Sequence, residues 1–449
     1  MSTPLRLASV IVVLVLVLAT QAPADDYPQW LGPRRDNVDR EKDLLTAFPP
    51  GGPRVLWRAA VGGGYSGVAV AGNKVVVTDR LLKDGVANPK DPFNRDAIPG
   101  QERVQCIDDA NGKVLWHVEY DCPYTISYAV GPRATPAIDA DRVYTLGAQG
   151  DVHCIDLNSG NVLWRRKLDG PAPIWGFAGS PVIEGDLLIV LSSGKPLVTA
   201  LNKTTGDVAW TALETKDPGY SPPTPHTFPG GSHQIVQYYP EGVAGIDPRT
   251  GKVRWQIPYG PETNGVTIVT PLFVSDDTFV LTSQYNGSAA IKVVDDKPQL
   301  LWHATSKGRK PTALHALHAQ MVLHQGLVYG INNTGHIVCM DPKDGHVLWS
   351  DPKPLLGDLE RAQWTAAFLT PWQPDEAQPA KAFFLATEKG DFIVCSLDSK
   401  GYTEQARAHL LDPSNHDAGR PVVWCHPAYA HQGMYWRNDK ELIRVSLAK

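Results

Sequence analysis

The chain has 449 residues, among them 40 Gly and 38 Pro, with 43% hydrophobic residues and a formal net charge of −5. So slight an acidic balance disfavours a general nucleic-acid or anionic-membrane binder, for which a basic excess is expected. The apolar fraction at this length is enough for a sizeable core, and the Gly and Pro content suits a chain made of turns.

Residues 1–24 have the features of a secretory leader: a single Arg6, an apolar run from Leu7 to Ala19, and Ala22-Pro23-Ala24 as a cleavage site before Asp25. The run is short for a membrane span. With no Cys at the cleavage site and no twin-Arg pair, the expectation is a free exported protein, periplasmic or extracellular and not a lipoprotein. An uncleaved leader acting as an N-terminal anchor is the alternative. Residues 25–53 lack repeat character and are expected to form an arm laid over the domain that follows, anchored by Trp30. Residues 54–449 form that domain.

Its unit is strand, tight turn, strand. The unit recurs as CIDDANGKVLW (Cys106 to Trp116), CIDLNSGNVLW (Cys154 to Trp164), ALNKTTGDVAW (Ala200 to Trp210), GIDPRTGKVRW (Gly245 to Trp255) and CMDPKDGHVLW (Cys339 to Trp349). In each, an Asp or Asn opens the turn because its side chain bonds backbone N–H groups two residues on, and a Gly four residues later accepts positive φ. The Trp four residues further on is expected to dock between neighbouring units. Marker tryptophans at 116, 164, 210, 255, 302 and 349 recur every 45 to 48 residues, the period of a propeller or solenoid. Between them only strand signals appear. The unit lacks the Trp-Asp pair of WD repeats and the double Gly of kelch repeats.

Two units are degenerate. The fifth replaces the Gly turn with Val294 to Pro298 yet reaches Trp302, and the seventh, CSLDSKG (Cys395 to Gly401), puts Gln405 in the Trp place. Trp57, in RVLWRAAV, has an outer strand with no inner strands before it, and His426 to Leu447 has inner strands with no outer one. Joined, they make one blade. The expected fold is therefore all-β: an eight-bladed β-propeller of four-stranded antiparallel blades, closed by an N-terminal strand that completes the C-terminal blade. Polar surface insertions are expected at Lys83 to Arg103 in the first blade and Pro371 to Lys381 in the seventh. Cys106, Cys154, Cys339 and Cys395 share one repeat position in four blades, too far apart for bridges that need Cα atoms within about 7 Å, and are expected as buried thiols. Cys122 and Cys425 fall in linkers, and their pairing stays open.

Blade-to-blade linkers and the loops between second and third strands emerge on one face and converge on the channel mouth. There the non-repetitive aromatic, His and Arg residues collect: Tyr65, Arg133, Trp175, His226, His233, His315, His318, Trp364, Trp424 and His426. Structural alternatives stand beside each. A Trp at a blade entrance also serves as a packing wedge, Arg133 as a cap on linker carbonyls, and His315 and His318 share a side only if their linker is helical, so no metal site is expected.

The repeat as it stands in GIDPRTGKVRW and ALNKTTGDVAW, with the arm PQWLGPRRDN, resembles the pyrroloquinoline-quinone (PQQ) repeat. From Tyr27 to the C-terminus the chain resembles the secreted bacterial PQQ-like β-propeller proteins. The resemblance admits two functions: a quinoprotein dehydrogenase with PQQ and Ca²⁺ at the channel mouth and an Asp base, or a scaffold without PQQ, as in the assembly lipoprotein of the Bam complex. The adjacent-Cys pair of the large dehydrogenases, a C-x-x-C-H haem site and a linker carboxylate cluster for Ca²⁺ are missing, as is the lipobox Cys of the scaffold. The expectation is a monomeric, non-catalytic binding or scaffold protein of the cell envelope, with an envelope protein or polymer as partner. A PQQ-dependent dehydrogenase oxidising an alcohol or sugar is the alternative, with Arg133 as cofactor clamp and Trp175 as stacking surface.

Overall fold

The computed structural model describes residues 25–259, 266–306, 308, 311–417 and 419–449; the leader expected over residues 1–24 lies outside them. Eight four-stranded antiparallel sheets form an eight-bladed propeller. Blades 1 to 7 span Ala69–Asp121, Ala137–Lys167, Val182–Ala212, Thr224–Pro258, Leu272–Ala304, Val322–Asp351 and Ala367–His409. Blade 8 takes three strands from Ala428–Ser446 and its outer strand from Val55–Ala60, which pairs antiparallel with Glu441–Ser446. The closure expected from the orphaned Trp57 is present, and it removes the open edge that a ring of sheets would otherwise carry.

Position within a blade decides composition. Second and third strands are covered on both faces by neighbouring blades, so they read as continuous apolar runs such as Leu187–Leu191 (LLIVL) and Ile337–Met340 (IVCM). Outer strands reach the rim and alternate, as in Val114–Asp121. A bulge interrupts the outer strand at one place in all eight blades. Cys106 faces Trp116 and Ile107 faces Val114, leaving Leu115 unpaired, and blade 8 repeats this with Leu56 between Val55 and Trp57. The bulge turns the Trp toward the next blade.

There the Trp meets the glycine turn. Indole N–H groups of Trp57, Trp116, Trp164, Trp210, Trp302 and Trp349 donate to a carbonyl in the following blade's turn at 2.7 to 3.1 Å. The turn glycines have φ between +73° and +79°, as the turn chemistry requires. A Cβ on Gly112, Gly160, Gly206, Gly251 or Gly345 would also lie 2.7 to 2.9 Å from the docked indole. Each glycine thus serves turn and interface together. In the seventh blade, by contrast, Gln405 is the unpaired bulge residue and Ala406 stands in the Trp place. The tighter hairpin at Ser399-Lys400 slips the register by one.

The arm crosses the hairpin ends of the inner strands, opposite the linkers. Tyr27 pairs with Val70, Arg35 donates to the Ile183 carbonyl, and Asn37 donates to that of Leu369. Trp372 returns a bond from its indole to the Glu41 carbonyl at 2.7 Å, and Leu44 is buried against the C-terminal strands. Both insertions are shorter than expected. Gly100 to Arg103 continue the third strand of blade 1, paired with Asp79 to Leu82, and Pro371 and Trp372 belong to the inner strand of blade 7. The polar look of QER hides the fact that Glu102 is buried and bonded by Tyr120 and Tyr124. All six cysteines are buried and free of disulfides, including Cys122 and Cys425. No helix among the described residues is long and apolar enough to cross a membrane.

Candidate functional site

The linkers open onto a funnel of about 470 Å³ on the channel axis. Seven of the ten candidate residues line it: Tyr65, Arg133, Trp175, His318, Trp364, Trp424 and His426. His315 does not. Its Nδ1 donates to the Gln284 carbonyl and its Nε2 accepts the Ser306 N–H, so both nitrogens tie down the linker. His226 and His233 also lie elsewhere, on the first hairpin of blade 4 toward the arm face, because that inner strand begins at Thr224 immediately after the prolines. His226 stacks on Phe273 at 3.5 Å and His233 bonds Glu184.

Other wall residues were not anticipated: Phe93 from the first insertion, Tyr128, Tyr220, Tyr285 and Phe368. A signal for one existed. Gly64-Tyr65-Ser66 and Gly219-Tyr220-Ser221 repeat the same triplet, and both serines are fully buried where their linkers enter the ring. The floor is Trp30, which lines the funnel and also a second chamber of about 270 Å³ beneath it, beside the arm. Its ring meets His426 edge-on at 4.9 Å.

A small ribbon, Asn415–Asp417 paired with Arg420–Val422, sits in the linker from blade 7 to blade 8 and sets one wall. Asn415 donates to Tyr65 Oη at 3.0 Å, and Tyr128 donates to Asp417 at 2.9 Å. Glu388 accepts from the Trp424 indole, from Arg420 and from the Ala366 N–H. These carboxylates stand behind the aromatic wall. Among the described residues lining the funnel there is no Asp or Glu.

Charge inside is correspondingly slight. Arg133 donates to the carbonyls of Gly131, Ser127 and Tyr128 and lies over the Tyr65 ring at 5.2 Å, the capping role open to it from sequence. Burial pushes His318 and His426 down to about 4, so both imidazoles are neutral at physiological pH. His426 Nδ1 donates to the Pro427 carbonyl, which leaves Nε2 as a buried lone pair with no protein partner. His318 makes ring contacts with Trp424 and Phe368 only.

PQQ with Ca²⁺ does not fit this lining. A tricarboxylate calls for free cations, and among the described residues lining the funnel the one Arg is committed to carbonyls. Ca²⁺ calls for several carboxylate or carbonyl oxygens, and among the described residues no three of His, Cys, Asp and Glu converge.

A family profile described as outer membrane protein assembly factor BamB matches residues 100–351. No curated protein matches the chain. Among solved structures, BamB from Moraxella catarrhalis is 14% identical with a TM-score of 0.53, covering 82% of this chain and 99% of that one. A europium-containing methanol dehydrogenase is 12% identical with a TM-score of 0.59, covering 94% and 89%. The quinohemoprotein alcohol dehydrogenase from Comamonas testosteroni is 11% identical with a TM-score of 0.57, covering 96% and 82%. Likeness at these identities is one of fold, and one fold hosts many functions.

Proposed function

The chain belongs to the PQQ-repeat propeller family described as outer membrane protein assembly factor BamB, and from that premise we propose that it is an exported, non-catalytic binding protein of the cell envelope whose funnel receives part of its partner. The observation that carries this reading is the lining: aromatic walls, neutral imidazoles, a committed Arg133, and no carboxylate among the described residues to act as base or metal ligand. Aromatic concavity with a few polar tips is what binding surfaces offer.

The test is to add PQQ and Ca²⁺ to the purified protein and measure bound-quinone absorbance and dye reduction with a panel of alcohols and sugars. No substrate-dependent reduction is expected. Stoichiometric quinone binding with turnover abolished by Trp175→Ala would defeat the binding-protein reading and establish the dehydrogenase.

A further inference from the structure

Linkers four blades apart face each other across an eight-fold ring. Trp175 enters blade 3 and Trp364 enters blade 7, so two indoles stand on opposed walls of the funnel; Tyr220, before blade 4, and Trp424, before blade 8, are related in the same way. Trp364 and Tyr128 are held at φ +59° and +53°, backbone that bulky side chains adopt only when the surroundings dictate it. Trp364 is pinned by its N–H to the Asn333 carbonyl at 2.7 Å, and Tyr128 by its hydroxyl to Asp417. Strain of this kind gathers at ligand clamps.

Arg133 apart, the polar side chains that line the funnel among the described residues are neutral. Tyr65 and Tyr220 accept through their hydroxyl oxygens, from Asn415 and from the Trp175 N–H, and so keep a proton to donate. His318, neutral, offers one N–H and one lone pair in either tautomer and spends neither on the protein. An anion would find the Arg133 guanidinium occupied by carbonyls. A hydrocarbon would bury the hydroxyls and the imidazole unpaired. A ring with apolar C–H faces and a rim of hydroxyls satisfies both walls and polar tips, and the volume is in the range of small-ligand sites.

We propose that the funnel binds the uncharged end of a glycan, a pyranose unit held between Trp175 and Trp364 with its hydroxyls on His318, Tyr65 and Tyr220. This rests on the binding-protein reading and narrows it to a saccharide partner. The experiment titrates the full chain with neutral trisaccharides of glucose, mannose and N-acetylglucosamine, following tryptophan fluorescence and calorimetry. Trigalacturonate and a tyrosine-containing heptapeptide are the charged and protein controls. At least one neutral trisaccharide is expected to saturate, with affinity falling tenfold or more in Trp364→Ala and in Trp175→Ala. His318→Phe, which keeps the ring packing, should also weaken binding while melting like the parent. No saturation by any neutral sugar at millimolar concentration, binding untouched by both Trp variants, or tighter binding of the heptapeptide would each overturn the glycan. In that last case the binding-protein reading stands, whereas PQQ-dependent turnover would remove both.

Discussion

Trp255 donates its indole N–H to Gln234 Oε1 at 2.7 Å, whereas six other marker tryptophans reach the carbonyl of the next blade's turn. The next blade here is the fifth, whose turn is Asp295-Asp296 in place of the glycine loop, both residues at φ between +50° and +57°. Gln234 fills the gap. Its amide also donates to Asp296 at 2.6 Å and to Ser232, so one fully buried side chain joins the docked Trp to the degenerate turn.

Replacing it should therefore cost more than an ordinary buried Gln. Gln234→Ala leaves an indole N–H unpaired in the blade 4–5 interface, worth about 1–3 kcal/mol, and opens a cavity besides. Urea unfolding should show a loss of about 2 kcal/mol or more. A variant within 0.5 kcal/mol of the parent would mean that the bridge carries no weight.

Gly160→Ala tests the regular interface. Positive φ of +76° and a Cβ 2.8 Å from the Trp116 ring act against the substitution together, so about 2 kcal/mol or more should be lost. Gly185, also at positive φ but with open space around it, separates the two causes: Gly185→Ala should cost about 1 kcal/mol. Equal losses at the two sites would remove the steric contribution.

The repeat was legible because each unit is local: Asp, Gly and Trp lie within nine residues, and turn chemistry plus period led to blade number and closure. What the sequence did not show is what happens between units. The bulge that aims Trp116 depends on strand pairing, and the single-residue slip placing Ala406, rather than Gln405, in the seventh Trp position follows from the tight two-residue turn at Ser399-Lys400. Funnel residues come from separate linkers with no shared motif, so Trp364 and Trp424 were identifiable as departures from the repeat. His226 was misplaced because a Pro-rich linker runs without a break into an inner strand.

The arm should dock more firmly at acid pH. His431 sits between Asp109 and Asp26, 3.0 Å from each, and these bonds raise its pKa; Arg444 and Tyr435 also face Asp109. Burial lifts Asp39 to about 8 and Glu41 to about 7, each raised further by nearby carboxylates. All three folded values are raised, so their contribution is full at low pH and is lost as pH climbs through the folded values, between the ordinary carboxylate range and about 8 for the acids and above 6.5 for His431. Proteolysis within residues 25–53 should be slower at pH 5.5 than at pH 8.5. Asp39→Asn, which imitates the protonated acid, should slow it at pH 8.5; faster cutting there would contradict the assignment.

Thiol chemistry offers a separate check. Burial pushes Cys106 up to about 12 and Cys339 up to about 11, and thiolate is the reactive form. Labelling of the native protein should be slow, with six thiols counted after denaturation without reductant. A count of four would mean that one pair is bridged.

Trp364 should pay for its position in stability. A left-handed φ of +59° costs a bulky residue about 1–3 kcal/mol, whereas Asn tolerates that backbone. Trp424 has no such strain and gives its indole N–H to Glu388, a carboxylate only 4% exposed. Both tryptophans line the funnel, yet the same substitution should act in opposite directions. Trp364→Asn should melt at or above the parent temperature, since relief of strain offsets the lost contacts of a half-buried ring. Trp424→Asn should melt several degrees lower, because it loses packing and removes a donor from a buried acid. A residue that lowers stability where it stands is kept for what it does there. If Trp364→Asn falls as far as Trp424→Asn, the ring is a packing wedge and the clamp loses its support.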